Sequence, residues 1–386
     1  MKICYFGTYD DHYPRNRILI SGLTQAGFEV AQCHAGLWKD TAAKMAAASS
    51  KWGSLSLIWR LVKIYPKLIW DLLHTEKVDY LFVGYTGQFD MFWAKIAAKL
   101  KGVPVVFDAF LSLYDSLVFD RRVVKEGSLK ARFLYWADKI SCQLADLVLL
   151  DTEAHIDYFV KTFKVPRSKF RRILIGADDT IFYPREQIKK DNSFLVIHYG
   201  KYIPLHGLPY VVKAAKELES DPAIRFRFIG AGDEYERVFS LAKELKVTNI
   251  DFIRFLPPEE LVDHIAEADV CLGIFGDTDK AARVIPNKVY ECMAMAKPVI
   301  TADSPASREF LTDGENCLFC RLADSSSIAE AILRLKKDPS LRRRIAEAGY
   351  RLFHDYAAPA PLGREVGNIL KNRRERKLNS KMRKGG

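Results

Sequence analysis

The sequence predicts an α/β protein built from two doubly wound parallel-sheet domains that face a central cleft. Three observations carry this. Short runs rich in β-branched and aromatic residues alternate with amphipathic helical stretches along the whole chain. The runs fall into two sets of about six, and residues 177–193 between them, ADDTIFYPREQIKKDNS, are charged and without periodicity. At 386 residues the chain is long for one core and comfortable for two. Strands that alternate with helices pair in parallel, because each crossover helix returns the chain to the same edge.

The first set reads KICYFG, EVAQCH, DYLFVG, PVVFDAF, DLVLLDT and FRRILIG. Helical stretches such as RNRILISGLTQAG, closing on Gly27, and AHIDYFVKTF lie between them. The second set reads FLVIHYG, IRFRFIG, IDFIRF, DVCLGIF, KPVI and NCLFC, with LPYVVKAAKELES, DEYERVFSLAKELK and PEELVDHIAEA as helices. The expected domains are residues 1–182, completed by a C-terminal helix around 355–372, and residues 190–350. Residues 373–386 are expected to be a solvated basic tail.

Hydrophobic content of 49% and charged content of 28% suit a globular protein. MKICYFG is too short an apolar run for a signal peptide, and no window approaches the ~18–20 apolar residues of a membrane span. A cytoplasmic protein is therefore expected, with peripheral attachment to the inner face of the cell membrane as an additional expectation. The net charge of +11 is uneven: 28 Lys/Arg against 20 Asp/Glu in residues 1–190, 23 against 27 in 191–370, and 8 against 1 in the last sixteen. A basic first half and tail suit phosphates or anionic lipid. No aromatic platform or binding motif accompanies the tail, so nucleic acid is not an expected partner. Of seven cysteines only Cys317 and Cys320 lie close, in CLFC, and without a second pair they read as strand residues rather than a metal or redox site.

In open parallel sheets ligands bind beyond the carboxyl ends of the strands, so the loops there matter most. FLVIHYG ends on Gly200, and the loop after it carries Lys201 and His206, a placement that suits a diphosphate. FIGAGDE brings Gly230 and Gly232 to a tight turn where backbone N–H groups can approach an anion. VIPNKVYECMAMAKPVI puts Pro286 at the expected first helical position, with Asn287, Lys288 and Glu291 on one face and Val289, Met293 and Ala296 on the other. Glu291 can accept two ribose hydroxyls while Lys288 and the first-turn N–H groups hold phosphate. The same residues also read as a solvent-facing helix start with a local ion pair. DTD at 277–279 reads as a solvated loop in preference to a metal site.

GKYIPLHG, FIGAGDE and above all NKVYECMAMAKPVI followed by REFLTDGENCLF resemble the retaining nucleotide-sugar glycosyltransferases of family 4, also called glycosyl transferases group 1, which have the GT-B fold. The resemblance implies transfer of a hexosyl unit from a UDP- or GDP-sugar to a saccharide or lipid-linked acceptor, in glycolipid or envelope polysaccharide biosynthesis. It implies a nucleoside diphosphate sugar as co-substrate, with no metal or other cofactor required. Lys201 and His206 stand where the family has a basic pair on the donor diphosphate. Glu291 matches the second of the family's two carboxylates, and the position of the first is Arg283. Ala296 stands where the family closes the helix with glycine. Gly7, with Arg15 and Asn16 at the helix start after it, matches a loop used near donor phosphate and acceptor. In place of a family histidine after the fourth strand the chain has Asp108, the expected polar group near the acceptor, then Asp115 and Asp120. Asp108 also reads as a loop-capping carboxylate.

KWGSLSLIWRLVKIYPKLIWDLL, residues 51–73, holds three tryptophans among Arg60, Lys63 and Lys67. It reads as a surface for anionic membrane or as a helix pair broken at Pro66 and packed on the sheet. Two other functions suit the same architecture: a nucleotide-sugar 2-epimerase, and a non-catalytic sugar-nucleotide-binding protein in which Arg283 marks a lost carboxylate.

Overall fold

The computed structural model describes residues 1–36, 55–186, 192–254 and 256–382. Residues 51–54 of the tryptophan-rich stretch and 383–386 of the tail lie outside the described residues, as do the side chains of Trp59 and Arg60.

All twelve expected strands form. The first sheet holds β1 (Lys2–Gly7), β2 (Glu29–His34), β3 (Tyr80–Val83), β4 (Val105–Asp108), β5 (Leu147–Leu150) and β6 (Phe170–Arg172), in the order β2-β1-β3-β4-β5-β6. The second holds β7 (Phe194–Tyr199), β8 (Ile224–Ile229), β9 (Ile250–Ile253), β10 (Val270–Leu272), β11 (Val299–Ala302) and β12 (Leu318–Cys320), in the order β12-β11-β10-β7-β8-β9. Every pairing within these sheets is parallel. Burial explains the sequence pattern. YLFV, VVFD and LVLL sit mid-sheet with helices on both faces, so all their residues are buried and the runs do not alternate. EVAQCH lies on an edge and is buried only at Cys33. Cys317 and Cys320 are both free, buried thiols at the far edge of the second sheet.

The chain ends on the first domain. Helix α1 (Pro14–Gln25) packs on the final helix, Pro359–Met382, with backbones so close that a Cβ on Gly22 would meet the Pro359 carbonyl oxygen at 2.2 Å. Gly363 faces Gly22 in the same way, so neither position accepts a side chain without parting the helices. From residue 373 the basic tail continues this helix to Met382, with most of its described side chains exposed, and Arg374 pairs with Asp79 at 3.0 Å. Helix α2 (Leu55–His74) likewise runs unbroken through Pro66, contrary to the expected break. Tyr65, Leu68 and Leu72 form its buried face, and this tertiary packing outweighs the hydrogen bond that Pro66 removes.

The interface between the domains is polar and specific. The loop after β4 forms a short π-helical turn, Asp115–Asp120, that reaches the second domain. There Arg283 donates to Asp115 at 2.8 Å, Lys280 donates to Ser116 Oγ at 2.7 Å and lies 3.7 Å from Asp120, and Arg121 meets Asp233 at 3.0 Å. Helix α3 (Asp90–Lys101) packs beside α2, and α4 (Leu129–Leu144) beside α3. Helix α5 (Glu153–Phe163) starts at the interface: Glu309 of the second domain accepts from the N–H groups of Glu153 and Ala154 at 2.7 and 2.8 Å. Unpaired N–H groups at a helix start are thus capped across the cleft.

Candidate active site

A cavity of about 490 Å³ opens between the domains. Tyr13, Pro14 and Phe110 line it from the first domain, Ile181 and Phe182 from the connecting segment, and Gly200, Lys201, His206, Asn287, Lys288 and Glu291 from the second. Five of the expected second-domain residues therefore meet with Gly200 around one space.

The short strand-to-helix turns explain how. β7 is followed by Gly200, whose φ of +115° a residue with a side chain rarely adopts. Gly230 and Gly232 do not line the cavity. A Cβ on Gly230 would stand 2.0 Å from the Gly200 carbonyl oxygen, and one on Gly232 would meet the Tyr202 backbone at 2.5 Å. Their expected role at an anion is therefore corrected: they let the turn after β8 press against the loop that carries Lys201. Tyr202 N–H donates to the Ala231 carbonyl at 3.0 Å and locks that contact.

After α6 (Leu208–Glu217), α7 (Tyr235–Glu244) and α8 (Pro258–Glu267), helix α9 (Asn287–Ala294) begins one residue later than expected, with Pro286 as its N-cap in an extended conformation (ψ 154°). No side chain caps it, so its first turn faces the cavity with backbone donors available. Val289 and Met293 are fully buried on the opposite face, as the periodicity requires. Ala296, expected on that face, instead follows the helix with a left-handed φ of +52°, at a cost of about 1–2 kcal/mol.

Lys288 is the centre of the site. Only 5% exposed, its Nζ lies 3.3 and 3.5 Å from the ring nitrogens of His198 and 3.4 Å from Nδ1 of His206. Burial lowers its pKa to about 7, partly opposed by Cys292 and Glu291. Burial, with Lys288 adding to it, pushes both histidines well below the usual range, so they stand neutral here. Glu291 shows the converse: burial raises its pKa to about 7, opposed by the Tyr199 hydroxyl, which donates to Oε2 at 2.8 Å. A lysine and a carboxylate whose charged forms burial disfavours stand in one cavity, and a phosphate beside the lysine would offset that cost.

Sequence reasoning missed His198 and Tyr199. A histidine and a tyrosine inside the apolar run FLVIHY were the available signal, since a fully buried histidine needs a polar neighbour.

The first-domain candidates are corrected. Arg15 and Asp108 are both wholly buried and form a bidentate pair, Nε to Oδ2 at 2.9 Å and Nη2 to Oδ1 at 3.0 Å, while Arg15 Nη1 donates to the Leu174 carbonyl. Neither reaches the cavity. Asn16 is consumed as well, accepting from Tyr5 Oη and the Tyr85 N–H and donating to the carbonyls of Asp10 and Tyr85. Gly7 lies beside the Asp90 carboxyl, 2.9 Å from where its Cβ would be, and does not line the cavity. Arg283, expected among the donor-binding cations, instead pairs with Asp115 and lies 4.0 Å over the Tyr158 ring. Among the described residues no group of three His, Cys, Asp or Glu side chains is placed to hold a metal ion.

Residues 179–352 match the family model described as "Glycosyl transferases group 1". The alpha-D-kanosaminyltransferase of Streptomyces kanamyceticus is 23% identical over 66% of this chain and 67% of its own length. The lipopolysaccharide core biosynthesis glycosyltransferase LpsE of Rhizobium meliloti is 27% identical over 40% and 43%. The match thus spans less than half of the second relative. The Anabaena protein HepE, solved in complex with UDP, superposes with a TM-score of 0.69 at 15% identity, covering 96% of this chain and 100% of its own; it has also been solved with UDP-glucose. That similarity gives the fold: two Rossmann-like domains in the GT-B arrangement.

The apo site makes a sign prediction. Between pH 7 and 10 the unfolded chain keeps Lys288 protonated while the folded chain does not, so Lys288 makes stability rise with pH across that window. Between pH 4.5 and 7 the folded chain binds the extra proton at Glu291, so that contribution falls as pH rises. Lys288→Met should therefore stabilise the ligand-free protein by about 1–3 kcal/mol at pH 7, with the gain shrinking toward pH 10, as thermal melts at both pH values will show.

Proposed function

We propose that the chain, whose residues 179–352 match the glycosyl transferases group 1 model, is a member of that family and transfers a hexosyl group from a nucleoside diphosphate sugar to an acceptor hydroxyl with retention of configuration. The observation that supports this best is the buried Lys288, set between neutral His198 and His206 at the mouth of an uncapped helix and one turn from Glu291. In this reading Glu291 takes the ribose hydroxyls. Lys288, Lys201 and the first-turn N–H groups of α9 surround the diphosphate.

Charge grows on the diphosphate as the bond from the anomeric carbon to phosphate oxygen breaks. Cations and backbone donors already fixed around that charge lower the barrier, and removing one such group commonly costs about 3–4 kcal/mol. The acceptor oxygen bonds to the anomeric carbon on the face the diphosphate leaves, and its proton passes to the departing phosphate oxygen. No separate base is then needed, which agrees with the burial of Asp108 in its pair with Arg15. The local cations answer the developing charge without a metal. Tyr13 and Phe110, across the cavity, help exclude water.

We read the acceptor as a saccharide or lipid-linked saccharide of glycolipid or envelope polysaccharide biosynthesis, a reading supported by the name of the Rhizobium relative. A surface of the first domain agrees with it. Trp70 (64% exposed) and Leu73 on α2, and Phe92, Ile96 and Leu100 on the adjacent α3, stand in solvent beside exposed Lys63, Lys67 and Lys99. No helix among the described residues is long and apolar enough to cross a membrane, so contact would be at an anionic surface.

Two measurements check this reading. In thermal shift against UDP-, GDP-, ADP- and TDP-sugars, one nucleotide class at 100 times its Kd should stabilise the protein by about 2.7 kcal/mol, and Glu291→Ala and Lys201→Ala should lose the shift. A folded sample that responds to none of them would overturn the proposal. In co-sedimentation, vesicles containing phosphatidylglycerol should retain the protein at low salt, and the double variant Trp70→Ala, Phe92→Ala should release it; equal retention of the variant would remove this face from the interface.

A further inference from the structure

A second cavity, of about 510 Å³, lies on the other side of Lys280, which lines both. We propose that it binds the hydroxyl groups of a saccharide, with Asp115 and Asp120 of the first domain as acceptors and Phe119 as the apolar platform. The inference rests on the glycosyltransferase reading above and adds the residues that read the sugar.

Its wall carries four aspartates against Arg122, Lys280 and Arg283. That near balance disfavours a phosphate, which would meet the carboxylates, and a polycation, which would meet the three cations. A neutral molecule with many hydroxyls suits both signs, because each hydroxyl donates to a carboxylate and accepts from a guanidinium or ammonium. Asp115 and Asp120 are 1% and 2% exposed, yet Oδ2 of the first and Oδ1 of the second have no hydrogen-bond partner, and neither has Arg283 Nε. Buried polar atoms left unpaired cost free energy, and these three, with Tyr158 Oη as a fourth among the lining residues, point to a ligand that pairs them. Phe119 is 40% exposed beside them, with Tyr114 edge-on at 5.2 Å, a surface for the C–H face of a sugar ring.

The turn is also held rigid. Asp138, wholly inside the first domain, accepts from Ser112 Oγ and from the N–H groups of Leu113 and Tyr114 at 2.7–3.2 Å, and Ser112 Oγ in turn accepts from the Asp115 N–H. A π-helical turn fixed this way presents its carboxylates at a set position, as binding sites require. It also gives Arg283 a meaning. Where the resembled family carries its first carboxylate in the second domain, this chain has an arginine that reaches across the cleft to a carboxylate of the first.

The test uses the full chain, with Asp120→Asn and Phe119→Ala beside the wild type. Phe119 is solvent-facing, so its truncation leaves folding intact. Calorimetry compares UDP with UDP-glucose, and saturation-transfer NMR measures a panel of methyl hexosides without nucleotide. Both variants should bind UDP within about twofold of wild type. They should lose about tenfold either in the gain of UDP-glucose over UDP, which places the donor's sugar in the cavity, or in methyl hexoside binding, which places the acceptor there. Variants that match wild type in both arms, or a wild type that shows neither effect, overturn the proposal. A wild type that ignores UDP rules out a uridine donor and leaves the donor reading to the other nucleotides of the thermal-shift panel, and the hexoside arm alone then decides this cavity.

Discussion

The site depends on a lysine that folding buries against its own interest. Lys288 has two imidazoles for neighbours and, with burial lowering its pKa to about 7, carries its charge at a cost the fold must meet elsewhere. The cost is offset by structure that cannot relax: α9 has Val289 and Met293 locked in the core, and β7 holds His198 in mid-sheet. A site prepared in this way pays before the ligand arrives. The return is selectivity for a group that brings negative charge to the mouth of α9.

The same logic orders the surrounding backbone. Gly200, Gly230 and Gly232 bring two strand-to-helix turns into direct backbone contact, and so fix the loop bearing Lys201 and His206 relative to Lys288. Across the cleft, the Arg15–Asp108 pair secures the start of α1 against β4 and the segment after β6. Breaking one partner of such a pair leaves an unpaired buried charge and costs about 3–5 kcal/mol. Its role is to hold the wall that carries Tyr13 and Phe110, without touching a substrate itself.

Much of this was legible in the sequence, and what was not has a common cause. The strands of both sheets could be read because period and burial are local properties. Lys201, His206, Lys288 and Glu291 could be read because a strand-to-helix turn confines chemistry to a few consecutive residues. Arg15 and Asp108 were misassigned because their partners are 93 residues apart, and a charged residue at a strand end looks the same whether it faces a ligand or another side chain. Arg283 was misplaced for the same reason, its partner lying 168 residues away in the other domain. Pro66 was misread because a local breaker was weighed without the packing that overrides it.

The central claim is that the cluster of Lys288, His198 and His206 receives a diphosphate. Calorimetry of UDP, GDP and ADP binding at pH 8 in buffers of different ionisation enthalpy tests it most directly, because the heat reports protons taken up on binding. A phosphate beside Lys288 raises its pKa from about 7, so binding should draw in about one proton per nucleotide, and Lys288→Met should abolish both the uptake and most of the affinity. Binding with no proton uptake, equally tight in Lys288→Met, would contradict the claim and put the nucleotide elsewhere.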